Sequence, residues 1–248
     1  MNLNEFFSCH PRVAVAFSGG TDSSYLLYAA VSAGCCVHAY TVKSQFQPSF
    51  ELDDARKLSE TLGVPLTVIR LDALANPVVA FNKSDRCYHC KKAVLTAIWE
   101  SARADGFAIL CDGTNADDDE ADRQGTRALR ELEVASPLRD CGLTKADVRI
   151  LSKQAGLFTH DKPSYACLAT RIPTGTTITD ELLEKAERAE NALFGMGFTD
   201  FRVRFIPPNG AKLQFLDSQW GQAASKRGVI FNVLHKEYDN IMLDMATR

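Results

Sequence analysis

The segment Ser18-Gly19-Gly20-Thr21-Asp22-Ser23-Ser24 carries the clearest chemistry in the chain. It lies between an apolar run and an amphipathic stretch, so it reads as a loop between a strand and a helix N-terminus. Such an end presents unpaired N–H groups and a partial positive charge, which suit an anion. Gly19 and Gly20 let the backbone turn tightly and approach a phosphate. Ser18, Ser23 and Ser24 add hydroxyl donors, and Thr21 opens the helix. Asp22 would repel phosphate unless it serves a cation, which makes it a candidate Mg²⁺ ligand. No Gly-Lys-Ser/Thr follows, so this is not a Walker A loop, and the third glycine of the dinucleotide fingerprint is missing. A second acidic loop, Cys111-Asp112-Gly113-Thr114-Asn115-Ala116-Asp117-Asp118, follows another apolar run. In open α/β sheets ligands sit beyond the carboxyl ends of strands. Gly113, Thr114 and Asn115 are therefore candidate nucleotide contacts. Asp117 and Asp118 either assist a metal or form a solvated turn that caps a helix.

The thiols form the other chemical group. Cys87-Tyr88-His89-Cys90 places two cysteines at i, i+3, on one face of an expected helix. The pair is a redox dithiol, half a metal site, or two neighbours by chance. No second CxxC exists, which disfavours a Cys₄ zinc ribbon. Cys167 lies in an irregular stretch four residues before Arg171, whose guanidinium would favour a thiolate. Cys35, Cys36 and Cys111 read as small core hydrophobes, and Cys9 and Cys141 have no pattern around them. The five histidines show no metal-ligand spacing. Arg202 and Arg204 are two apart on an expected strand and share a face. They are either solvated strand residues or anion ligands.

The elements that position these residues follow from periodicity. Val13–Phe17, Val37–Val42, Leu66–Leu71 and Phe107–Cys111 read as strands, and Thr21–Ser32, Glu51–Leu62 and Arg86–Ala104 as helices. Alternation of this kind implies an α/β fold, a parallel sheet with helices on both faces. From Asp119 to Arg171 the pattern is helices and loops, with Thr144–Gly156 a helix capped by Thr144. After Gly175 the character changes. A helix over Asp180–Met196, strands at Phe201–Phe205 and Lys212–Phe215, a helix over Ser218–Arg227 and a strand at Asn240–Met245 suggest a small C-terminal α+β domain. The expected domains are 1–175 and 176–248.

Composition narrows the function. The 248 residues are 46% hydrophobic and 24% charged, the balance of a globular protein. The least polar run, Tyr25 to Tyr40, falls short of the ~20 residues of a membrane span. The opening residues lack a basic start followed by an apolar stretch, so no secretory leader is expected. A reducing cytoplasmic location without disulfides follows as the expectation. Net charge is −3, whereas non-specific nucleic-acid binders carry a basic excess, so no nucleic-acid partner is expected.

The first loop resembles the SGGxDS pyrophosphate loop of the ATP pyrophosphatase (PP-loop) family, whose members transfer AMP onto an acceptor oxygen. That implies an adenine nucleotide alpha hydrolase-like fold, ATP and Mg²⁺. The run Asp161-Lys162-Pro163-Ser164-Tyr165-Ala166-Cys167-Leu168-Ala169-Thr170-Arg171-Ile172-Pro173-Thr174-Gly175 resembles the signature of one branch, the ATP-dependent sulfur transferases of nickel-pincer nucleotide cofactor synthesis (the LarE type). The resemblance extends through Gly113–Asp118, Ser136–Leu138, Leu143–Arg149 and the Arg-Val-Arg of 202–204. It implies that Cys167 handles sulfur. Because Cys87 and Cys90 are present, it implies the variety in which three thiols hold a 4Fe–4S cluster, rather than the variety that sacrifices the loop cysteine. It further implies a pyridinium-3,5-biscarboxylic acid mononucleotide substrate, with Arg171, Arg202 and Arg204 as cationic contacts. Glu190 matches an acidic residue near the active cysteine, an acid or base; the alternative is a surface role. A sulfide donor and a homo-oligomer, often a hexamer, complete the expectation.

Sulfur transfer explains the ATP loop and the thiols together. A carboxylate is a poor acylating agent because its leaving group would be oxide; adenylation replaces that with AMP, which a sulfur nucleophile displaces. Competing readings are a cluster-dependent tRNA thiolase, an ammonia-using amide ligase of the same superfamily, and a non-enzymatic ATP-sensing or metallochaperone module.

Overall fold

Continuous burial of Val13, Ala14 and Val15, on both faces of one strand, sets the architecture of the first half of the chain. The computed structural model describes residues 2–118 and 123–246, so the first residues of the stretch expected to begin at Asp119 lie outside the described residues. The chain divides into two units, Met1–Ala73 with Asp85–Lys162, and Leu74–Ser84 with Pro163–Arg248.

The first unit runs α1 (Leu3–Cys9), β1 (Arg12–Ala16), α2 (Thr21–Ser32), β2 (Cys36–Lys43), α3 (Ser49–Leu62) and β3 (Leu66–Arg70). The chain then enters the second unit for α4 (Pro77–Ala80). It returns for α5 (Arg86–Ala104), β4 (Leu110–Cys111), α6 (Arg123–Glu131), α7 (Pro137–Asp140) and α8 (Lys145–Gln154). The strands form a parallel sheet in the order β3-β2-β1-β4. Successive side chains of a strand point to opposite faces. Val13, Val15 and Phe17 accordingly pack with Leu26, Leu27 and Ala30 of α2, Leu58 of α3 and Val148 of α8. Ala14, Tyr40, Val42 and Leu110 pack with Leu95, Ile98, Trp99 and Ala102 of α5. Helices thus cover both faces, and truncating one of these buried leucines to alanine costs about 2–5 kcal/mol.

Local chemistry sets the boundaries. Gly63 ends α3 in the left-handed conformation, φ 65°. Thr144 and Asp147 form a capping box at the start of α8. Asn2 and Glu5 do the same for α1, a helix too short for its periodicity to stand out. The strand expected over Phe107–Cys111 is confined to Leu110–Cys111, because Phe107 N–H bonds Ala102 O at 2.9 Å and closes the end of α5.

The second unit contains α9 (Asp180–Gly195), β5 (Arg202–Ile206), β6 (Gly210–Gln214), α10 (Trp220–Ser225), α11 (Arg227–Leu234) and β7 (Asn240–Leu243). β5 and β6 are antiparallel, and β6 and β7 parallel. Leu193, Phe198, Phe201, Val203, Phe215, Leu234 and Tyr238 form its core. α10 occupies the span expected for a helix over Ser218–Arg227, and α11, which follows it across Lys226, is an additional helix. The cysteine loop, expected with the first domain, groups with this unit. Its end is stitched to the excursion that carries α4: Asn82 Nδ2 donates to Pro173 O at 2.9 Å, Gly175 N to Asn82 O at 2.9 Å and Ile178 N to Ala80 O at 2.8 Å. Asn82 adopts φ 51°, a conformation asparagine tolerates better than most residues.

Candidate active site

In the first unit the loops that leave β1 and β4 border a cavity of about 310 Å³, within the range of small-molecule pockets. Val42, Leu52, Val94, Leu95 and Ile98 supply apolar lining suited to a base. Ser18, Gly20, Asp22, Ser23, Gly113, Thr114, Asp118, Lys43 and Lys91 supply polar lining suited to phosphates. Lys91, Val94, Leu95 and Ile98 follow helical spacing, so one stripe of α5 forms a wall. The sequence reading missed this stripe because it looks like any core-facing stripe.

Asp22, in the first turn of α2, has unequal oxygens. Oδ2 is paired with Lys145 Nζ, and Oδ1 is buried without a hydrogen-bond partner among the described residues. A buried acceptor left without a donor is costly, so this oxygen is open to a cation brought with phosphate. The residues present therefore fit Mg²⁺, an oxygen-seeking ion commonly held by one or two carboxylates plus phosphates. Gly113 faces the same turn: a Cβ there would lie 2.7 Å from Ser23 N. Only glycine allows this approach of the two loops.

The remaining loop residues hold shape. Asp112 accepts from Ser136 Oγ at 2.7 Å and Thr114 Oγ1 at 2.5 Å. Asn115 is buried, and its Oδ1 accepts Asp117 N–H at 2.9 Å. Asp117 Oδ2 accepts the N–H of Lys145, the first residue of α8, at 2.7 Å, so Asp117 serves as a helix cap. Asp118 Oδ2 accepts from Asn115 N at 2.8 Å. Gly19 has φ 72°, and a Cβ there would meet Glu51 O at 3.0 Å. Ser24 is fully buried in α2.

Thr21 Oγ1 donates to Thr159 O at 2.8 Å. Lys162 Nζ donates to Gly19 O at 3.2 Å and to Asp54 Oδ2 at 2.5 Å. Arg149 donates to the carbonyls of His160 and Lys162 at 3.2 and 3.0 Å. The segment leading into the cysteine loop is thus fastened to the phosphate loop. Lys145 and Lys162 carried no local signal, since their partners lie more than a hundred residues away.

Cys87 is exposed and Cys90 half-buried in the first turns of α5. Two thiols on one helix face fit two corners of an iron–sulfur cluster. Among the described residues no group of three or more His, Cys, Asp or Glu side chains is arranged to hold a metal ion, and Cys167, the third expected donor, belongs to the second unit. Cys111 is fully buried, and burial pushes its thiol well up. Burial is also the main cause that raises Cys35 and Cys141. Cys36, expected in the core, is exposed because it precedes the buried run of β2.

In the second unit Cys167 is half-buried and precedes a 3₁₀ turn over Leu168–Arg171. Thr170 N and Oγ1 donate to its carbonyl at 2.9 and 2.8 Å. Arg171, expected among the substrate contacts, is enclosed: its side chain is 0% exposed and that of Glu190 is 1% exposed. Arg171 Nε and Nη2 donate to Glu190 Oε1 and Oε2 at 2.6 and 3.0 Å. Removing one partner of such a buried pair costs about 3–5 kcal/mol. Burial opposes the charge on Arg171, but hydrogen bonds and proximity to Glu190 hold it above its ordinary range. Glu190 also accepts from Tyr165 OH and from Val203 N at 2.9 Å. Burial, then Glu190, pushes the Tyr165 hydroxyl up. Arg202 Nη2 donates to Ser164 O at 2.9 Å, and Arg204 Nη1 to Thr170 O at 2.9 Å. Burial and the neighbouring Arg171 lower Arg202 to about 10.

A family profile described as queuosine biosynthesis protein QueC matches residues 12–93, which contain the phosphate loop. The chain is 34% identical to a pyridinium-3,5-bisthiocarboxylic acid mononucleotide synthase of Lactiplantibacillus plantarum, over 78% of this chain and 71% of that one. It is 35% identical to an uncharacterised protein of Synechocystis, over 82% and 76% of the two chains. An uncharacterised protein of Methanocaldococcus jannaschii is 29% identical over 82% and 77%. With the phosphate loop on a parallel sheet and relatives matched across most of their length, the chain belongs to the LarE-type family of PP-loop enzymes, the ATP-dependent sulfur transferases.

Proposed function

We propose that the enzyme adenylates a carboxylate of pyridinium-3,5-biscarboxylic acid mononucleotide and replaces the AMP with sulfur, giving a thiocarboxylate and releasing pyrophosphate. The observation that carries this reading is the cavity around Ser18–Ser24, where Asp22 keeps one buried oxygen without a donor. The amides of Gly20 and Thr21 and the hydroxyls of Ser18 and Ser23 hold the pyrophosphate portion of ATP. Ser24 and Gly19 shape that loop, and Gly113, Thr114 and Asn115 shape the opposite wall. Asp22 would hold Mg²⁺, which when bound would offset charge on the departing pyrophosphate. Lys145, released from Asp22 when the cation binds, can follow the same phosphates.

Cys167 is the sulfur-handling residue, on a loop fixed by Arg202 at Ser164 and by Arg204 at Thr170. Arg204, half-exposed beside that loop, is the arginine best suited to offer charge to the substrate's phosphate or second carboxylate. Cys87, Cys90 and Cys167 are the thiols that would hold a 4Fe–4S cluster, which when bound leaves one iron open to an additional sulfide. A sulfide donor, a cytoplasmic setting and a homo-oligomeric state belong to the same reading. Among the described residues no helix is long and apolar enough to cross a membrane.

The test incubates the anaerobically purified enzyme with ATP, Mg²⁺, sulfide and the biscarboxylate mononucleotide. Substrate-dependent AMP release with a thiocarboxylate product is expected. Amide formed from added ammonia, or AMP release that requires tRNA, would replace this reading with another branch of the superfamily.

A further inference from the structure

A carboxylate offers about four lone-pair sites to hydrogen-bond donors. Glu190 has all of them taken. Oε1 accepts from Arg171 Nε at 2.6 Å and Val203 N at 2.9 Å, and Oε2 accepts from Arg171 Nη2 at 3.0 Å and from Tyr165 OH. With its side chain 1% exposed, Glu190 has no vacant lone pair to receive a proton and no open route to solvent. A general acid or base needs both a site for the proton and access to the group that exchanges it.

The partners of Glu190 have a pattern in the sequence. Tyr165 lies two residues before Cys167 and Arg171 four residues after it, and both reach the same carboxylate. The Tyr165 ring also lies under two guanidiniums, 4.8 Å from Arg171 and 5.3 Å from Arg202. We propose that Glu190 is the buried anchor that closes the cysteine loop into a ring, and that Tyr165 and Arg171 are the two ties by which it sets the position of Cys167. Glu190 and Tyr165 are then positioning residues rather than proton carriers. The outer ties, Arg202 on Ser164 O and Arg204 on Thr170 O, limit the same loop from β5. A nucleophile held in one geometry reacts faster than one that searches for it. A Glu190–Arg171 pair that served stability alone would leave the thiol indifferent to Tyr165.

This inference rests on the proposed role of Cys167 in sulfur transfer, and the test separates the two. The full-length protein, Tyr165→Phe and Glu190→Gln are stripped of iron and alkylated with iodoacetamide, and Cys167 is compared with Cys87 in the same molecule by peptide mass spectrometry. Thiocarboxylate formation by the iron-loaded proteins is followed against pH. We expect Tyr165→Phe to change the Cys167/Cys87 alkylation ratio about fivefold and to lower kcat about tenfold with the KM for ATP unchanged. Glu190→Gln retains both limbs of the pH–rate profile. Loss of one limb in Glu190→Gln, or a wild-type alkylation ratio in Tyr165→Phe, overturns the proposal. If Glu190→Gln does not fold, the alkylation ratio of Tyr165→Phe decides alone. Alkylation needs no substrate, so a wild-type protein that makes no thiocarboxylate refutes the proposed function and still leaves the positioning role measured.

Discussion

Asp22 illustrates how one side chain can be held ready for an ion. Its paired oxygen meets Lys145, and its other oxygen is buried without a donor. Asp22→Asn keeps the size and removes the charge. We expect ATP–pyrophosphate exchange to fall at least about a hundredfold, with the Mg²⁺ requirement raised, because charge on the leaving group loses its counterion. Exchange at the wild-type rate would remove Asp22 from the reaction. The phosphate loop was legible in the sequence since its chemistry is local: glycines, hydroxyls and a helix start lie within seven residues. The arginines were less so. Spacing puts Arg202 and Arg204 on one strand face, but their partners at Ser164 and Thr170 lie 38 and 34 residues away. Glu190 falls on the same helix face as Leu183, Ala186 and Leu193, so spacing marks it as buried although a carboxylate is an unexpected occupant of that face.

Among the elements, β5 and β6 do more than complete a sheet. Arg204 on β5 donates to Gln214 on β6, and Gln214 Nε2 donates to Asp244 Oδ2 at 2.8 Å. Lys212 also meets Asp244 at 2.8 Å. These bonds, from Lys212 first and then Gln214 and the Ala246 N–H, hold the Asp244 carboxyl down at about 2, below its ordinary 3.8. A carboxyl lowered by folding contributes stability above its unfolded value and loses it as pH falls through the folded one. Asp244→Asn should therefore melt below wild type at neutral pH, and the gap should close as pH falls from near 4 to near 2. A gap that persists at the acid end would show that Asp244 acts by packing alone. The parallel sheet covered on both faces was legible because strands alternate with helices along the chain, whereas its order β3-β2-β1-β4 carries no mark in any one segment. α11 was not legible, since Arg227–Leu234 is a short, largely apolar run whose periodicity does not separate helix from strand.

At the scale of the whole molecule, the proposed iron site calls on Cys87, Cys90 and Cys167, far apart in the sequence. Anaerobic purification followed by iron and sulfide analysis should find a loaded wild type and an iron-poor Cys87→Ala. Full iron in Cys87→Ala would contradict the three-thiol assignment. The second unit also includes Leu74–Ser84, separated from its main body by the whole of Asp85–Lys162, a pairing no local pattern announces. Asn82 and Ala80 in that segment bond Pro173, Gly175 and Ile178 directly after the cysteine loop. The loop is thus clasped by a piece of chain encoded far ahead of it. A gene fragment beginning at Pro163 would lack the clasp, so the half that carries Cys167 is not a portable cassette. Recombination could exchange it between relatives only if the upstream segment travelled with it.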